Sequence, residues 1–107
     1  MTPIMVHQIP MRLEVHQLEG LDDRRRVFNR HVDLHRMENG YVANFYYEGQ
    51  SYSSDPQPTM KKALGQLVER LHPLGFKALR SRLNFQGRRY LAEREPWVDY
   101  PNATQTD

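Results

Sequence analysis

Residues 11–18 alternate between apolar and polar, with Met11, Leu13 and Val15 on one side and Arg12, Glu14 and His16 on the other. A period of two predicts a strand with one face buried, because successive side chains leave opposite faces of the pleat. The alternation returns over residues 28–37, where Phe28, Val32 and Leu34 share one face and His31, Asp33 and His35 the other. Glu38-Asn39-Gly40 follows. Asn and Gly tolerate the two positive-φ positions of a type I′ turn, so a tight hairpin is expected there. Residues 41–47 (YVANFYY) suit a pleated surface. Glu48-Gly49 reads as a second turn into a short strand over residues 50–53. The region 31–53 is therefore expected to be a three-stranded antiparallel meander.

The period then changes. Two prolines, Pro56 and Pro58, stop the sheet by removing backbone donors. Thr59 is placed to cap a helix. Met60, Ala63, Leu64, Leu67 and Leu71 fall at i, i+3, i+4, i+7 and i+11, with Val68 at the edge of the stripe and Lys61, Lys62, Gln66, Glu69 and Arg70 away from it. Pro73 ends this amphipathic helix and Gly75 supplies a reversal. Over residues 77–85 alternation resumes, with Leu79, Leu83 and Phe85 facing one way and Ala78, Arg80, Arg82 and Asn84 the other. Gln86-Gly87 is a turn candidate leading to residues 88–92.

Hairpins rather than crossovers join these strands. The expected class is α+β, an antiparallel β-meander with one amphipathic helix packed on one face and a following strand or hairpin. One domain over residues 27–100 is expected. Residues 1–26 form an N-terminal strand and connection of unassigned place, with residues 22–26 (DDRRR) read as a solvated link, and residues 101–107 a disordered tail. The 107 residues contain 24 Ile, Leu, Val and Phe, of which 16 fall in residues 27–91, so the core is concentrated there. With no cysteine, a disulfide framework, a thiol nucleophile and Cys-ligated zinc are excluded. No apolar run approaches the ~18 residues of a transmembrane helix. A cytoplasmic protein that engages no membrane is expected.

The net charge of +2 hides an uneven distribution: residues 61–90 hold eight Lys and Arg against Glu69 alone. Such a basic stretch suits an acidic protein surface or a phosphate backbone. Lys77, Arg80, Arg82, Arg88 and Arg89, with the sheet aromatics Tyr41 and Tyr47, are the candidate binding surface, since stacking platforms beside positive charge hold single strands of RNA or DNA. The plain alternative is a solvated face. His31, Asp33 and His35 are the candidate metal ligands, because residues two apart on a strand project from one face. They are spaced roughly 6–7 Å, however, and no neighbouring acidic segment closes the site. Ser51, Ser53, Ser54 and Asp55 lie beside the helix start, where an anion is favoured, but lack the Gly-rich cradle of a nucleotide loop. No nucleophile or paired-acid motif appears. The expectation is a non-enzymatic domain with no cofactor, acting through contact with a protein partner or a second copy of itself, with single-stranded nucleic acid as the alternative and a metal-dependent enzyme built on His31, Asp33 and His35 as the second alternative.

One resemblance bears on this. Glu38, Gly40 and Tyr41 through Ala43, then Gly49, Ser53, Thr59 and Ala63-Leu64, follow the order and spacing of the HicB-like family of small bacterial domains over residues 38–71. The chain departs from the family pattern between hairpin and helix, where Tyr46-Tyr47-Glu48-Gly49-Gln50 stands. The resemblance implies a non-enzymatic domain that often oligomerises and frequently neutralises a small RNA-cleaving toxin by protein contact.

Overall fold

A computed structural model describes residues 11–86, 89–90 and 95–101. The expectations for residues 1–10, 87–88, 91–94 and the tail 102–107 lie outside them. The element order is β1 (Met11–Leu21), β2 (Val27–Met37), β3 (Gly40–Tyr47), β4 (Gln50–Ser53), α1 (Met60–Leu71), β5 (Lys77–Gln86), β6 (Arg89–Tyr90) and β7 (Val98–Asp99). The fold is α+β. One antiparallel sheet runs in the order β4-β3-β2-β1-β5-β6, with β7 also paired to β5, and α1 packs across β3 and β2. The strand whose place the sequence left open is central: β1 lies between β2 and β5. Among the described residues no helix is long and apolar enough to cross a membrane.

The meander forms as its patterning requires, but the turns differ from expectation. At the first hairpin Met37 pairs with Gly40, so Glu38 and Asn39 form the loop, and neither has a positive φ. Gly40 alone is at φ 141, pressed against Gln57, whose carbonyl would lie 2.8 Å from an added Cβ. The left-handed pair occurs instead at Glu48 and Gly49, with φ 53 and 80, which matches the twist of β3 and β4. Past β4 the chain still follows the edge of β3. Ala43 donates to the Ser54 hydroxyl, Ser54 to the Ala43 carbonyl, and Tyr41 and Gln57 exchange backbone bonds.

Thr59 caps α1 by accepting from the Lys62 amide at 3.1 Å, and a 3₁₀ turn carries Pro73 into Gly75 at φ 106. Ala63, Leu64, Leu67, Val68 and Leu71 are all buried. Beneath them lie Phe28, Val32, Leu34, Phe45 and Leu79, and an aromatic cluster joins Phe28, Phe45, Tyr47 and Phe76 at centroid distances of 5.2 to 6.0 Å.

Three register shifts interrupt the ladders of β1, one of them between Glu19 and Leu21 against β5, and the other two overturn the simple alternation. The β1–β2 register shifts between Arg12 and Glu14, so Glu14 and His16 share the helix side with Leu18 while Val15 sits on the opposite face. The β1–β5 register shifts between Val15 and His16, so Phe85 pairs with Val15, away from Leu79 and Leu83. A bulge adds one residue to one strand and thereby reverses the parity beyond it. The link at 22–26 is also more than a solvated connection. Asp22 is buried at 1% exposure. Its carboxylate accepts from the Arg24 and Arg26 amides, the Arg26 Nε and the Tyr47 hydroxyl at 2.7 to 2.9 Å. Burial alone would raise its pKa, but these bonds stabilise the anion and hold the carboxyl well below the ordinary value.

Candidate binding surface

The helix covers one face of the sheet, and among the described residues no second helix lies on the other. Register decides which side chains occupy that open face. Arg12, Val15, Gln17 and Glu19 of β1 stand beside His35, Asp33, His31 and Asn29 of β2. Val42, Asn44 and Tyr46 extend the face along β3, and Arg80, Arg82 and Phe85 along β5. Glu19 pairs with the Arg80 guanidinium and also accepts from Asn29. Arg82 Nε donates to Gln17 at 2.9 Å. The indole of Trp97 lies over both guanidiniums, with Arg80 and Arg82 at 4.4 and 4.2 Å from its centroid. The result is a bracket of two cations on one aromatic plane, an arrangement in which the ring quadrupole attracts the charge.

The sequence-derived binding set divides across the sheet. Arg80 and Arg82 are on the open face, and Lys77 is exposed beside Leu21 at the end of β5. Tyr41 and Tyr47 are on the helix side, because they share parity with Phe45. Tyr47 is 7% exposed, bonded to Asp22 and stacked in the core, and Tyr41 packs against that core half-buried. They and the arginines do not form one surface. Arg88 lies outside the described residues, and Arg89 is placed only by its backbone pairing with Gln86.

His31, Asp33 and His35 do share the open face. His31 is exposed and Asp33 and His35 half-buried. His35 Nδ1 lies 3.0 Å from the Asn44 amide nitrogen, which occupies it as a hydrogen-bond acceptor. Among the described residues no three His, Cys, Asp or Glu side chains gather as a metal site would need. The polar groups before α1 are engaged within the fold. Ser53 donates to Asn44, Asp55 pairs with Arg70, and the Asp55 amide donates to Gln66.

Two features of these surfaces carry no mark in the sequence. Trp97 stands outside any periodic segment, and only the pairing of β7 with β5 brings it over the arginines. Glu14 and His16 show the i, i+2 spacing of neighbours on one strand face and are hydrogen-bonded at 2.9 Å. That spacing was available, but nothing in the sequence said that this side of β1 lines a cleft. No family model, curated protein or solved structure matches this chain.

Proposed function

We propose that this chain is a small non-catalytic binding domain that holds a protein partner on the open face of its sheet. One observation carries the reading. Among the described residues, four of the six exposed large apolar side chains, Val27, Met37, Tyr46 and Tyr90, belong to the face that α1 leaves uncovered. Single exposed apolar residues are ordinary, but several on one face give a partner something to cover. Charge there is mixed: Arg12, Arg80 and Arg82 alternate with Glu19, Asp33 and Asp99. That mosaic suits the polar rim of a protein interface, whereas a phosphate backbone rewards a single sign. The likeness of residues 38–71 to HicB-like domains points the same way, toward a small protein partner such as an RNA-cleaving toxin.

Single-stranded nucleic acid is the second reading, favoured by the indole of Trp97 seated on Arg80 and Arg82. Crosslinked affinity capture from the protein's own cells tests the two, using wild type, Tyr46→Asp on the open face and Lys62→Glu on the exposed side of α1. One protein recovered by wild type and Lys62→Glu, and lost with Tyr46→Asp, is the expected result. Equal recovery by all three would remove the open face from the binding surface. Recovery of oligonucleotide, with affinity falling steeply as salt rises, would transfer that face to the second reading.

A further inference from the structure

On the helix side, between α1 and the strands β1, β5 and β7, lies a cleft of about 520 Å³. That volume is within the range of small-molecule pockets. Its walls are mostly apolar, formed by Leu34, Met60, Leu64, Val98 and the ring of Tyr100. The polar groups are few and their states are fixed by their partners. The Ser81 and Tyr100 hydroxyls bond to each other at 2.8 Å, and burial pushes the Tyr100 phenol above its ordinary pKa, so this pair is neutral. Arg82 lines the cleft, but its guanidinium is committed to Gln17 and Trp97 on the open face. Lys61 stands exposed at the mouth, where water screens its charge.

Glu14 is different. Its side chain is only 15% exposed, and its hydrogen bond runs to His16 Nε2, which must therefore carry the proton it donates. Among the described residues His16 Nδ1 is buried without a partner, so the ring is held through Nε2 and fixes the orientation of the carboxylate. Among the described residues no Lys or Arg pairs with Glu14. The cleft thus presents an apolar wall around a carboxylate of which one oxygen has no partner among the described residues. A carboxylate so placed favours a cation that brings its own hydrogen-bond donors.

We infer that this cleft binds a small primary amine with an apolar body, its ammonium on Glu14 and its hydrocarbon against Leu34, Met60 and Leu64. The site is separate from the open face and does not depend on the reading given to that face. Three probes of one size and different charge test it: hexylamine, hexanol and hexanoate, titrated at neutral pH and followed by NMR at His16 and Tyr100. Hexylamine is expected to bind about tenfold or more tighter than hexanol, the advantage of a hydrogen bond to a charged group. In Glu14→Gln that advantage should vanish while hexanol binding persists. Gly65→Leu supplies a second test. Gly65 lines the cleft and an added Cβ meets nothing within 4 Å, so this helix-favouring change should fill the cleft and abolish binding without loss of thermal stability. Equal affinity for the amine and the alcohol, tighter binding of hexanoate, or no shift at His16 and Tyr100 with any probe would each overturn the assignment.

Discussion

Gly20 gives a test in which the sign of the effect, as well as its size, is at stake. It sits in the middle of the sheet, opposite Phe28, without a positive φ. At such a position Gly→Ala ordinarily stabilises a protein by about 0.4–1 kcal/mol, because it restricts the unfolded chain. The structure reverses that expectation. A Cβ on Gly20 would lie 2.7 Å from the Lys77 carbonyl oxygen, 2.8 Å from Leu79 Cδ2 and 3.0 Å from the Ala78 carbonyl oxygen. Ordinary contacts begin near 3.4 Å, so β5 would have to retreat by more than half an ångström. Leu79 cannot swing aside, since it is itself buried at 1% exposure. Overpacking of this kind costs about 1–3 kcal/mol. With about 4 °C per kcal/mol for a domain of this size, Gly20→Ala should melt roughly 4–12 °C below wild type. Urea unfolding should show a lower midpoint at unchanged m. Gly65→Ala is the matched control: an added Cβ there meets nothing within 4 Å, and the change should stabilise α1 by about 0.5–1 kcal/mol. A Gly20→Ala protein as stable as wild type would refute the close approach of β1 and β5 on which the sheet order rests.

Two further outcomes follow from the buried groups. Leu67→Ala should cost about 2–5 kcal/mol in urea titration and Leu67→Asp should abolish the cooperative transition, because Leu67 is fully enclosed between α1 and the sheet; a near-wild-type melt of Leu67→Asp would detach the helix from the core. The Asp22 carboxyl is held below its ordinary value of 3.8 in the folded state, so its stabilising contribution is complete above that pH and is lost as pH falls below it; the acid limb of a stability–pH profile should therefore flatten in Asp22→Asn, and an unchanged acid limb would show that Asp22 is not the responsible group.

The parts of this fold that depend on local periodicity were readable from the chain. α1 announces itself through its stripe, the Thr59 cap and Gly75, and β2 to β4 through alternation and turns. What could not be read was parity beyond a bulge. One extra residue near Leu13 and another near Asn84 move Val15 and Phe85 to the open face, and no composition rule marks a bulge in advance. The same limit explains the division of the binding set. Tyr47 and Arg80 are both plausible surface residues when read singly, and only the register places them on opposite sides of one sheet. Asp22 is hidden in the sequence for a related reason: a charged run looks solvated until a distant partner, here the hydroxyl of Tyr47, turns it inward.

The central place of β1 has a consequence for how the chain reaches this state. One neighbour, β2, follows it directly, but the other, β5, pairs with it through contacts such as Glu19 to Arg80, 61 positions apart in sequence. Closing that span costs entropy before any of its contacts repays it, which slows folding relative to a purely local hairpin. During synthesis, one edge of β1 stays without its partner until β5 has emerged. In that interval the exposed strand edge is open to pairing with other chains. The middle of the finished sheet is thus completed late, and assembly is most vulnerable there.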